Sequence, residues 1–94
     1  MLSEMTLRKE IGMRLQQARE NAGYISAKEF CQRNNLSLEP YFAYEKGESV
    51  IKISQLLSYS EKLHVSVSWL ILGVLSEKSR KNKINLVEPA NDSL

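Results

Sequence analysis

Residues 37–47 read Ser-Leu-Glu-Pro-Tyr-Phe-Ala-Tyr-Glu-Lys-Gly. This stretch decides the fold. Its end, Glu45-Lys46-Gly47, has a cation in the last turn and a glycine stop, the marks of a helix C-terminus. Its start is constrained by Pro40. Proline is welcome in the first turn of a helix and excluded from its interior, and it pushes the preceding residue, Glu39, away from helical angles. The regular helix is therefore expected to begin at or near Pro40 rather than at Leu38. Tyr41 and Tyr44, three apart, share one face and are assigned to the core. Phe42 and Ala43 fall on the other face.

Working back toward the N-terminus, Leu36 plugs a tight turn and Asn34-Asn35 ends a helix, since asparagine tolerates left-handed angles. That second helix, about 27–34, opens on Ser26 as N-cap. Glu29 completes a capping box, and Ile25 with Phe30 forms a hydrophobic staple. Phe30 and Cys31 are its core residues. Before it, Leu7, Ile11, Leu15, Ala18 and Ala22 recur at steps of four, four, three and four, a helical stripe. Arg8, Lys9, Arg14, Gln17 and Asn21 occupy the other face. Ser3 or Thr6 caps this first helix, and Gly23 closes it.

Toward the C-terminus, Glu48 to Lys52 is a loop. Ile53, Leu56, Leu57, Ser60 and Leu63 form a fourth helical stripe, and His64-Val65 is a turn. Ser66 caps a short fifth helix containing Val67, Trp69, Leu70 and Ile71, which Gly73 stops. Three divisions follow: a leader (1–6), one helical domain (7–73) and a polar, basic tail (74–94). The tail carries Lys78, Arg80, Lys81 and Lys83, with Ile84 to Val87 as a short strand or docking arm.

Composition excludes several classes. Ninety-four residues with 43% hydrophobic content allow one small core. Four glycines and two prolines favour helices over a sandwich or barrel. One cysteine, Cys31, makes neither an internal disulfide nor a metal cluster. The most apolar stretch, Val65 to Leu75, is far short of the roughly 20 residues that span a bilayer. No apolar run marks a signal peptide at the N-terminus. A cytoplasmic protein without membrane contact is expected. Neither a nucleophile motif nor a glycine-rich phosphate loop occurs. His64 is a lone histidine, so no metal site is expected, and without those motifs no cofactor or enzymatic activity is expected either. The net charge of +2 is mildly basic, which by itself says little about nucleic acid.

Two short helices joined by a tight turn, inside five helical segments, have the helix-turn-helix layout. Here the sequence resembles the lambda repressor-like family, the phage-repressor or Xre type, over about residues 7–73. The residues that carry the resemblance are Ile11-Gly12, Leu15 and Arg19; Gly23, Ser26, Glu29 and Phe30; Leu36-Ser37; Tyr44 to Gly47; and Leu63, Val65 to Val67, Trp69-Leu70 and Gly73. The Tyr-Glu-Lys-Gly and Val-Ser-Val-Ser-Trp-Leu runs are the specific ones. The resemblance implies an all-α, compact five-helix domain. It also implies an ion pair between Arg19 and Glu45. The implied function is sequence-specific binding of double-stranded DNA by a transcriptional regulator, with the third helix (about 38–46) in the major groove. A homodimer would read a palindromic site, its two reading helices about 34 Å apart.

The DNA-facing set expected from these matches is Lys28, Ser37, Leu38, Glu39, Phe42, Ala43 and Lys46, with Ser26 and Lys52 on phosphates. Its chemistry is unusual. The family's readers are typically glutamine, arginine, serine or threonine, whereas Leu38, Phe42 and Ala43 suit thymine methyl groups and Glu39 suits a cytosine amino group. The competing reading is an antitoxin-like module in which Leu38 and Phe42 form an apolar patch for a protein partner.

Overall fold

The computed structural model describes residues 3–73 and the short pieces 89–90 and 92–93. The first of these contains five helices: α1 (Glu4–Asn21), α2 (Ala27–Arg33), α3 (Leu38–Glu45), α4 (Ile53–Leu63) and α5 (Val67–Leu72). They close around one core, and the architecture is all-α. Pro89–Ala90 and Asp92–Ser93 pair in parallel with each other. A single intervening residue cannot make a parallel crossover, which takes a dozen or more. With two residues in each piece, the pair makes no sheet layer. The basic run and the 84–87 arm expected in the tail lie outside the described residues.

The start of each helix follows from its cap. Ser3, Ser26 and Ser66 each accept a hydrogen bond from the backbone N–H three residues on, satisfying one of the orphan donors there. Because Ser3 is the first of these caps, α1 begins at Glu4, three residues earlier than the periodicity of its stripe suggests. The expected leader is thus partly helical.

Four helix ends share one closure. After α1, Tyr24 N–H reaches Arg19 O and Gly23 N–H reaches Glu20 O. The same pair of reverse bonds recurs after α3, from Glu48 to Ala43 and from Gly47 to Tyr44. It recurs after α2 (Leu36 to Cys31, Asn35 to Gln32) and α4 (Val65 to Ser60, His64 to Glu61). Each needs one left-handed residue. Gly23, Asn35, Gly47 and His64 supply it, with φ of 95°, 56°, 72° and 59°.

The core is aromatic through its middle. Leu15, Phe30, Cys31, Tyr41, Tyr59 and Leu70 are fully buried. Phe30 meets Tyr41 at 4.9 Å between ring centres, and Tyr41 meets Tyr59 edge-on at 5.0 Å. These contacts tie α2, α3 and α4 together in arrangements that add about 0.5–1.5 kcal/mol per pair beyond area burial.

Several expectations are corrected. Ala22 is exposed: it is the C-cap residue that follows α1 and not a member of its buried stripe. Ile25 is 87% exposed, so it makes no staple; Tyr24 takes the place, its ring 5.2 Å from Phe30. In α4, Ile53 and Leu57 are exposed, and Leu56, Tyr59 and Leu63 form the buried stripe. Arg14 is not on a solvated face. Its Nη1 donates to Leu70 O and Ile71 O at 2.9 Å, closing the C-terminus of α5, while Nη2 pairs with Glu10.

A candidate nucleic-acid interface on the third helix

The α2–α3 pair is joined by four residues, Asn34 to Ser37. Asn34 Nδ2 donates to Phe30 O at 2.8 Å, and Leu36, half-buried, packs on the core. The turn is thus pinned from both its backbone and its apolar plug. Beyond it, α3 starts at Leu38, two residues before the start expected from Pro40. The reason is positional: Pro40 is the third helical residue, where its missing N–H would have no intrahelical acceptor in any case. Glu39 takes helical angles despite the proline after it, and the extra residues bring Leu38 and Glu39 onto the helix itself.

At 100° per residue, Leu38, Phe42, Lys46, Glu39 and Ala43 occupy one arc of α3, and Tyr41 and Tyr44 the opposite one. Burial agrees. Tyr41 and Tyr44 are buried; Leu38 and Phe42 are 39% and 46% exposed; Glu39 and Lys46 are exposed; Ala43 is half-buried. The Lys46 ammonium lies over the Phe42 ring, 4.6 Å from its centre, a cation–π contact one helical turn apart. Ser37 holds the N-cap position without a side-chain cap bond, which leaves its hydroxyl free. Ser26 is committed to the cap of α2, accepting from Glu29 N–H at 3.0 Å. Glu29 reaches back to Ile25 N–H at 2.9 Å, one residue earlier than in a standard capping box. Lys28 and Lys52 are exposed, the latter at the N-cap of α4.

The inner side of α3 is clamped to α1. Arg19 Nε donates to Glu45 Oε2 at 2.7 Å and Nη2 to Oε1 at 3.4 Å, both side chains more than nine-tenths buried. Arg19 Nη1 also donates to Tyr24 O at 3.1 Å. Burial opposes the charge on Arg19, but the hydrogen bond and charge of Glu45 outweigh it and hold the guanidinium above its usual range. Burial, and after it the nearby Glu45 carboxylate, pushes the Tyr41 hydroxyl well up. It still lacks a partner in hydrogen-bond geometry. Gly12 lies against the last carbonyls of α3: a Cβ there would collide with Glu45 O and sit 2.6 Å from Tyr44 O.

An apolar groove of about 210 Å³ opens elsewhere, between α1, the 49–52 loop and the start of α4, lined by Leu7, Ile11, Tyr44, Val50, Ile53 and Leu56 among others. Arg8 Nε, buried at its edge, has no acceptor. Among the described residues no three His, Cys, Asp or Glu side chains converge as metal ligands. No helix among them is long and apolar enough to cross a membrane.

The expected DNA-facing residues fall into two groups. Leu38, Glu39, Phe42, Ala43 and Lys46 share the outward arc of α3, and Ser37 stands at its tip. Ser26, Lys28 and Lys52 lie at the start of α2 and before α4. Sequence reasoning missed the stacking of Lys46 on Phe42, although their i, i+4 spacing signals it. No family model matches the chain, and no curated protein or solved structure matches it.

Proposed function

We propose that this protein is a DNA-binding transcriptional regulator built on a lambda repressor-like helix-turn-helix domain, with α3 lying in the major groove. One observation carries the reading. α3 is clamped by Glu45 and its two tyrosines, while its outward arc from Leu38 to Lys46 is left uncovered by the rest of the described domain. A rigid, exposed helix after a four-residue turn has the dimensions of a reading helix in a groove about 12 Å wide. Lys28, Lys46 and Lys52 are exposed and supply the phosphate contacts, and the Ser37 hydroxyl adds a donor. A homodimer would set two such helices one turn of DNA apart on a palindromic site.

The test is fluorescence anisotropy of the full chain with a generic duplex at low salt. Binding should weaken with salt at a slope set by about four to six neutralised phosphates per protomer. Flat titrations at micromolar protein would sink the proposal.

A second reading is favoured by the exposure of Leu38 and Phe42 beside Glu39, an apolar and acidic tip. In it the same arc docks a protein partner, as an antitoxin does. Flat DNA titrations combined with a stable heterocomplex lost on Phe42→Ala would establish it instead.

A further inference from the structure

The outward arc of α3 is short of hydrogen-bond donors. Its exposed groups are two apolar side chains (Leu38 and Phe42), one carboxylate (Glu39) and one ammonium, that of Lys46, drawn back over the Phe42 ring at 4.6 Å. Each base pair presents a distinct pattern in the major groove. Guanine shows two acceptors, N7 and O6, and needs donors opposite it. Adenine shows its amino donor beside the N7 lone pair, which would face and repel a carboxylate. Cytosine shows an amino donor flanked by the nonpolar C5 edge, and thymine shows a methyl group at C5. The arc complements the two pyrimidines.

We propose, on the basis of the DNA-binding reading above, that α3 selects pyrimidine edges. Glu39 accepts from a cytosine amino group, and Leu38 and Phe42 pack on C5-methyl groups. Glu39 and Phe42 are three residues apart and so are neighbours on the helix surface, about 5–6 Å between their Cβ atoms. One carboxylate and one ring therefore face two adjacent groups of a single base. Cytosine methylated at C5 carries both groups, the amino donor and the methyl, and is the base this pair fits best.

The experiment starts from sites selected by the full chain out of a random duplex pool. The selected duplex is then compared, by anisotropy, with versions in which a contacted thymine is replaced by uracil or a contacted cytosine by 5-methylcytosine. Uracil lacks only the methyl, so each replacement should weaken binding about fourfold, the worth of one buried methyl or methylene group. Methylation of the contacted cytosine should tighten binding by a similar factor. In Glu39→Gln the preference at that position should move from cytosine to adenine, because glutamine pairs bidentately with adenine N6 and N7. Glu39 is exposed, and helical content by circular dichroism checks that the variant is folded. Selected sites governed by guanine, or uracil and 5-methylcytosine duplexes that bind within twofold of the parent, would overturn the inference while leaving DNA binding intact. Absence of salt-sensitive binding to every duplex would remove the DNA reading itself, and this inference with it.

Discussion

Glu45 is asked to do two things at once. It neutralises Arg19 inside the domain, and it lies beside the Tyr41 hydroxyl, which has no partner in bonding geometry. Removing one member of a buried pair strands the other charge at a cost of about 3–5 kcal/mol. A domain of this size has little margin, so Arg19→Met or Glu45→Gln alone should abolish cooperative thermal unfolding near room temperature. The double variant Arg19→Met with Glu45→Leu should restore much of the loss, because two apolar groups replace two desolvated ions. Equal damage from the single and double variants would show that the pair acts through packing alone. Tyr41→Phe probes the other neighbour. A buried hydroxyl without an acceptor costs about 1–3 kcal/mol relative to a satisfied one. Its removal should thus be neutral or stabilising in urea melts, and a loss above about 1 kcal/mol would mean that it does bond Glu45.

The helix ends are where single residues set the geometry of whole elements. Among the described residues, His64 is the one left-handed cap residue that is neither glycine nor asparagine. L-residues other than these pay a steric penalty in that region, and the glycine gain is reduced by its larger unfolded-state entropy. His64→Gly should raise the urea midpoint by the equivalent of about 0.5–1 kcal/mol. Gly12→Ala should do the reverse. Its new Cβ would meet the backbone carbonyls of Tyr44 and Glu45, so α3 must shift outward from α1, and a loss of about 1–3 kcal/mol is expected. If α3 reads DNA, the same variant should also weaken specific binding at temperatures where it is still folded.

These elements show what the chain discloses unaided. Caps and stops were legible, because Ser26, Ser66, Gly23, Gly47 and Gly73 act through local backbone bonds. The inward face of α3 was legible because Tyr41 and Tyr44 sit at helical spacing. Tyr59 was not: Ile53, Leu56 and Leu57 suggest a stripe rotated away from it, and only the aromatic cluster from α2 and α3 decides which side of α4 is buried. Nor was the role of Arg14, whose acceptors lie 56 and 57 residues away. On the outward arc, side-chain identities were legible throughout. The start of α3 was not, because a proline at the third position, like one at the first, gives up no intrahelical hydrogen bond, and its restriction on Glu39 argued for the later start.

At the scale of the whole molecule, the core binds protons more tightly than the unfolded chain does. Burial pushes the Cys31 thiol from its ordinary value of 9.0 up to about 11, with the Glu45 charge adding to the rise. Burial likewise pushes the Tyr41 and Tyr59 hydroxyls well above the usual phenolic range. All three are neutral in the folded state, and each would have to ionise inside the aromatic cluster. The unfolded chain releases these protons first, so it binds fewer of them at alkaline pH, and stability falls as pH rises. For Cys31 the full contribution is present below about pH 9 and is lost between about 9 and 11. A shift of that size corresponds to roughly 2–3 kcal/mol, and the two tyrosines extend the loss to higher pH. Urea midpoints from pH 7 to 11 should therefore be level at first and then decline steeply above about 9. In Cys31→Ala the early part of that decline should shrink, against a baseline lowered by the small cavity left behind. A midpoint that holds constant to pH 11 would mean that the thiol and the phenols ionise in the folded state, and hence that water reaches the centre of the helical core.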